Sequence, residues 1–172
     1  MAHVAYLEKD QAAADVQTTF EGMEKKLGKV PNIYRAMGLS PELMKGFLEF
    51  NGAFGKSKLD AKLRELAYMT ASRINACEYC LHYHKAFGRK AGLGDEQIEG
   101  LATYASNAAY DDLQKDVMAY AEQVTRQIRP DARLVQRLRT RLSDREMVEV
   151  ALVVSMANLT NRFNEALGID LP

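Results

Sequence analysis

The chain has two cysteines, Cys77 and Cys80, with two residues between them, and His84 follows four positions after the second. Thiols at this spacing can interconvert between a dithiol and a small disulfide. Asn75-Ala76 reads as a helix break, so Cys77 to Cys80 is expected to start the helix that follows. A sulfur placed there meets unpaired backbone N–H groups and the positive end of the helix dipole. Both favour thiolate over thiol and lower the thiol pKa below its free value of about 8.5. His84 shares a helix face with Cys80, and an imidazole at that spacing can take the thiol proton. Glu65, near the start of the preceding helix, is placed to reach back to the far nitrogen of His84 and fix its tautomer. The candidate machinery is therefore Cys80, Cys77, His84 and Glu65. Tyr79 and Tyr83 are expected in a pocket wall or the core. His82, two residues past Cys80, is expected on another face of the helix.

Other readings of these residues stand beside that one. Unmodified cysteines are often small core residues. Cys77, Cys80, His82 and His84 also offer ligand types for zinc, although all lie within eight residues and positions 82 and 84 face apart on a helix. A general disulfide reductase or redox relay would use the same cysteine pair with little peroxide chemistry.

The elements that must position these groups are helical almost throughout. Residues 9–28 carry Val16, Phe20, Met23 and Leu27 at helical spacing, stopped by Gly28 with Pro31 beyond. Ser40-Pro41 opens a second helix, with Ser40 as N-cap. Leu59-Asp60 opens a third, through Leu63, Leu66, Thr70 and Ile74, and the cysteine helix runs to Ala91 before Gly92 and Gly94. Asp95 is expected to cap a short helix over 96–105. Helices over 111–128 and 131–142 follow, and Ser143-Asp144-Arg145-Glu146 has the spacing of a capping box for a last helix to about Leu167. Val30 to Ile33 and Val150 to Val154 are β-branched, but no stretch alternates long enough for a strand. The fold class is all-α, a single helical domain over 1–172 with a core segment at 35–115. An offset of 84 residues lays Glu65-Leu66-Ala67 over Glu149-Val150-Ala151 and Cys77–Cys80 over Asn161–Asn164. Duplication of helix pairs and chance alignment of two amphipathic helices both account for it.

Bulk composition narrows the function. Lys plus Arg and Asp plus Glu both number 23, giving zero net charge. That balance argues against general nucleic-acid or anionic-membrane binding. No apolar run approaches the roughly 18 residues of a membrane span, and Met1 to Asp10 lacks a signal-peptide pattern. The expected compartment is the cytoplasm, where a purely structural disulfide would be out of place. Low net charge favours self-association. The basic run Arg133, Arg137, Arg139 and Arg141 is flanked by acids and reads as a solvated or subunit-interface face.

The arrangement Glu65, eleven residues, Cys77, two residues, Cys80, three residues, His84 resembles the alkylhydroperoxidase D group of the carboxymuconolactone decarboxylase superfamily. The resemblance is strongest from Leu59 to Gly94, including Arg64-Glu65-Leu66 and Cys77-Glu78-Tyr79-Cys80-Leu81-His82-Tyr83-His84. It implies an all-helical subunit in a trimer or a trimer-based oligomer such as a hexamer. It implies a peroxidase in which Cys80 is attacked by a hydroperoxide, Cys77 resolves the product as a disulfide, and Glu65 and His84 relay protons. It implies reduction by a dithiol protein, lipoyl-bearing or thioredoxin-like, with no organic cofactor or metal. The best-known members carry a histidine just before the second cysteine, where this chain has Tyr79, a poor base at neutral pH. Superfamily members named for lactone decarboxylation do not depend on a cysteine pair, so the pair favours redox chemistry.

Overall fold

The computed structural model describes residues 2–171. Among them there are nine α-helices and no strand. The helices are α1 (Ala14–Leu27), α2 (Asn32–Met37), α3 (Pro41–Ala53), α4 (Ala61–Ile74), α5 (Glu78–Ala91), α6 (Asp95–Glu99), α7 (Asp112–Gln127), α8 (Ala132–Arg139) and α9 (Asp144–Leu167). The all-α expectation holds. The contacts cluster into two compact units, one taking the chain up to Gly55 with the tail from Asn164, the other Lys56–Phe163.

In the first unit, α1 is shorter than its periodicity suggested. Lys9–Gln11 forms a separate 3-10 turn, and extended backbone at Ala12 and Ala13 precedes the helix. Gly28 closes α1 at φ 77°, the left-handed conformation glycine adopts without strain. The β-branched stretch at Val30 to Ile33 is not strand: Pro31 sits at the N-cap of the six-residue α2, which buries Ile33, Ala36 and Met37. A helix this short has too few periods to stand out in sequence. Ser40 does occupy the N-cap of α3, but its side chain makes no capping hydrogen bond. The C-terminal tail is tied in by Asp170, whose carboxylate accepts from the Tyr6 hydroxyl at 3.1 Å and whose carbonyl accepts from Asn32 at 3.0 Å.

The second unit carries the cysteine pair. Asp60 caps α4, accepting from the N–H groups of Lys62 and Leu63. Leu66 and Met69 of α4 are fully buried among Leu93, Ile98, Leu101, Tyr110 and Met118. Gly88 brings α5 close to α4, because a Cβ there would lie 3.3 Å from the Met69 methyl and 3.2 Å from Leu93. The N-cap of α6 is Gly94 rather than Asp95, and the helix gives way to a 3-10 turn over Gly100–Thr103. Asp111 caps α7 and Asp131 caps α8. The Ser143 capping box forms: Ser143 N–H reaches Glu146 Oε2 at 2.9 Å and Glu146 N–H reaches Ser143 Oγ at 3.3 Å. The 84-residue offset pairs unlike local structures, since Cys77–Cys80 begins a helix whereas residues 161–164 lie inside α9.

α4 and α9 are laced by polar side chains. Asn161, fully buried, donates to Ser72 at 3.0 Å and accepts from Asn75 at 2.9 Å. Asn75 also donates to Asn158 at 3.0 Å. These bonds fix the end of α4, from which the cysteine segment departs. Among the described residues no helix is long and apolar enough to cross a membrane.

Candidate active site

The turn between α4 and α5 is made by Asn75 and Ala76. Ala76 lies at φ 53°, in the left-handed region that non-glycine residues seldom enter. This reverses the chain within two residues, and the Cys77 N–H then donates back to the Ser72 carbonyl at 2.9 Å. Cys77 is the N-cap of α5, and its sulfur accepts from the Cys80 N–H at 3.4 Å. A sulfur in this position receives the end of the helix dipole, which favours negative charge. The expected helix start at the cysteines is thus present. Both cysteines are buried, Cys77 fully and Cys80 at 4% exposure.

His84 follows one turn after Cys80 on α5 and faces α4. Its Nδ1 lies 2.7 Å from Glu65 Oε2. An ionised carboxylate only accepts hydrogen bonds, so a neutral imidazole here carries its proton on Nδ1 and leaves Nε2 as the basic atom. Glu65 is itself buried at 6% exposure, and its other oxygen lies 3.4 Å from the Arg64 guanidinium. A buried carboxylate keeps its charge only with such partners. The pairing expected from sequence between Glu65 and His84 is therefore made across the two helices.

The remaining sequence candidates divide. Tyr79 is buried, with its ring 5.1 Å from that of Tyr83. The Tyr83 hydroxyl is buried without a hydrogen-bond partner among the described residues. His82 is exposed and meets the Tyr83 ring edge-on at 5.1 Å. Among the described residues no three or more Cys, His, Asp or Glu side chains are gathered closely enough to hold a metal ion.

Two aromatic residues around His84 escaped the sequence reading. The Tyr68 ring stacks on the imidazole with centroids 3.4 Å apart and planes 12° from parallel. Phe87 meets the imidazole edge-on at 5.3 Å and is exposed on its outer side. Their signal was in the register: Tyr68 is three residues after Glu65 and Phe87 three after His84, so each shares a face with a candidate residue.

Comparison with known proteins adds the following. The model of the carboxymuconolactone decarboxylase family matches residues 41–123, a span that includes Glu65, both cysteines and His84. The uncharacterized protein YdfG of Bacillus subtilis is 25% identical over 134 residues, covering 76% of this chain and 90% of its own. A peroxidase-related protein of Silicibacter sp. TM1040 superposes with a TM-score of 0.87 at 27% identity, covering 98% of this chain and 91% of that one. An alkylhydroperoxidase D core protein of Ralstonia eutropha superposes with a TM-score of 0.89 at 19% identity, over 99% and 92% of the two chains. The debrominase Bmp8, solved in complex with 2,3,4-tribromopyrrole, shares the fold with a TM-score of 0.86 at 19% identity, over 100% of this chain and 94% of its own.

Proposed function

We propose that the chain, whose residues 41–123 match the carboxymuconolactone decarboxylase family model and whose fold is that of an alkylhydroperoxidase D core, is a thiol-dependent peroxidase acting through Cys77 and Cys80. In this reading His84 takes the Cys80 proton, and the thiolate attacks the outer oxygen of a hydroperoxide, ROOH. The O–O bond breaks, Cys80 becomes a sulfenic acid, and the proton leaves with the alcohol ROH. Cys77 then attacks the Cys80 sulfur, releasing water and closing a disulfide. A dithiol partner restores both thiols and is itself oxidised to a disulfide. The observation that carries the reading is the 2.7 Å contact between Glu65 and His84 Nδ1, which orients the imidazole as a base one helical turn from Cys80.

Burial of both sulfurs supports a small substrate over a protein disulfide, which would need far more open access. The same burial supports a slender reductant such as a lipoyl arm ahead of a thioredoxin-like surface. The exposed Val148, Leu152 and Leu159, spaced along one side of α9, suit the homo-oligomer that the resemblance implies. Light scattering tests that assembly, with a trimer or hexamer expected and a monomer overturning it.

A second reading is favoured by the aromatic residues along α5, Tyr79, Tyr83 and Phe87, which suit a flat substrate. The same dithiol would reduce a bromoarene, ArBr, to ArH with release of HBr and closure of the disulfide. Bromide release from a bromopyrrole, set beside peroxide consumption, separates the two.

The test of the main reading is intact mass after one equivalent of hydroperoxide meets the reduced protein. Rapid loss of two hydrogens is expected in the wild type. A dimedone-reactive sulfenate on Cys80 is expected in Cys77→Ser. Thiols untouched over minutes would sink the peroxidase assignment.

A further inference from the structure

Glu65 and Tyr68 stand one turn apart on α4, and both touch His84. The carboxylate meets the imidazole in its plane at Nδ1, 2.7 Å away. The phenol ring lies flat on its face, 3.4 Å between centroids and 12° from parallel. The first contact fixes one ring atom but leaves the imidazole able to tilt about it. The second removes that tilt. Together they leave a single direction for Nε2, the atom that must receive a proton from Cys80.

Tyr68 is itself held. It is buried, and its hydroxyl pairs with the Thr160 hydroxyl of α9. Thr160 Oγ1 lies 3.0 Å from the carbonyls of both Met156 and Ala157, so its proton is spent inside its own helix. Its lone pair therefore accepts from the Tyr68 O–H. The phenol can neither slide nor rotate away from the imidazole without breaking a buried hydrogen bond. On the outer side, Phe87 closes against the imidazole edge at 5.3 Å.

We propose that Tyr68, tethered by Thr160, is a positioning residue that sets the plane of His84 and thereby aims its Nε2 at the thiol of Cys80. The proposal rests on the thiol-peroxidase reading of the same site. In this role Tyr68 acts through His84. A general base displaced by about 1 Å can lose on the order of a hundredfold in rate, so loss of the stack has room to register.

The experiment compares Tyr68→Leu, Tyr68→Phe, His84→Ala and the double variant Tyr68→Leu/His84→Ala. Two quantities are read: the rate of Cys80 oxidation by hydroperoxide in a single turnover, and the NMR positions of the His84 ring protons. A stacked ring shields the imidazole protons, so Tyr68→Leu is expected to move them downfield and to slow oxidation about tenfold or more. Tyr68→Phe keeps the ring but loses the tether, so both readouts are expected to fall between those of Tyr68→Leu and the wild type. In the His84→Ala background, Tyr68→Leu is expected to add less than about twofold. The proposal is overturned if Tyr68→Leu leaves the His84 signals in place, or if it slows the His84→Ala protein by the same factor as the wild type. If Tyr68→Leu does not fold, Thr160→Val decides: broadened, displaced His84 signals support the tether, and unchanged ones overturn it. Failure of the wild type to react with hydroperoxide would sink the peroxidase reading alone, leaving the NMR comparison to judge Tyr68.

Discussion

Glu65 of α4 and His84 of α5 meet at 2.7 Å, although they stand nineteen positions apart across a helix reversal. The contact fixes which imidazole nitrogen is basic, and that is a property of the carboxylate as an acceptor. Glu65→Gln removes the charge and introduces an NH2 group able to donate to Nδ1 and select the other tautomer. The expected result is a fall of about a hundredfold in the rate of Cys80 oxidation, with little change in helix content. Stopped-flow measurement of the reduced protein against hydroperoxide checks the first, and circular dichroism the second. A rate within about twofold of the wild type would show that His84 is not oriented by Glu65.

Asn161 supports the same site from behind. It is fully buried, bonded at once to Ser72 and Asn75, and Ser72 also accepts the Cys77 N–H. Asn161→Ala leaves the Asn75 amide with only its bond to Asn158 and opens a small cavity, a loss of about 2–3 kcal/mol. Urea denaturation should show that loss. Faster hydrogen exchange at the Cys77 amide should accompany it, because the segment that anchors the Ala76 turn is loosened.

The residues of the site were legible because their chemistry depends on local spacing. Cys77, Cys80 and His84 occupy successive turns of one helix, so a period of 3.6 was enough to place them together. Glu65 needed the further inference that α4 and α5 run antiparallel through a short break, and it rested mostly on the family-like spacing of Glu65, Cys77, Cys80 and His84. Tyr68 and Thr160 were not seen, because their roles come from packing between α4, α5 and α9, which no local period encodes. The fold class followed from periodicity, but the boundaries that moved were those set by backbone alone. Ser40 reads as a cap yet makes no capping bond, Asp95 yields its cap position to Gly94, and α2 is too short to show a period.

Glu149 provides an acid-sensitive brace for the start of α4. Burial works against its charge. The Arg145 guanidinium, the Leu59 N–H, the Ser57 hydroxyl and the Lys58 N–H together outweigh that, holding its carboxyl at about 2 against an ordinary 4.5. A carboxyl lowered on folding stabilises above its unfolded value, and that contribution is lost as pH falls toward the folded one. The wild type is therefore expected to melt above Glu149→Gln near neutral pH. The gap should close between about pH 4.5 and about pH 2. Thermal melts of both proteins across that range check it, and a gap that stays constant would mean that the carboxyl carries no linked proton.

Ile128 ends α7 at φ 68°, and it is 81% exposed. A β-branched side chain in the left-handed region is strained by contact between its Cβ and the neighbouring carbonyl, at roughly 1–2 kcal/mol. The side chain has little packing with which to offset this. The conformation is imposed by the chain: the Ile128 N–H still bonds the Val124 carbonyl at 3.0 Å, while Pro130 follows two residues later and cannot continue the helix. Ile128→Gly relieves the strain at the cost of about 0.5–1 kcal/mol in unfolded-chain entropy. The expected outcome is a net gain of about 0.5–1 kcal/mol, seen as a higher urea midpoint with an unchanged slope. Cys80 reactivity should not move, because Ile128 lies outside the α4–α5 site. Ile128→Ala is the control, since it removes the branch but not the Cβ, and it should gain less than glycine. If alanine stabilises as much as glycine, the gain comes from losing an exposed apolar side chain and not from the backbone.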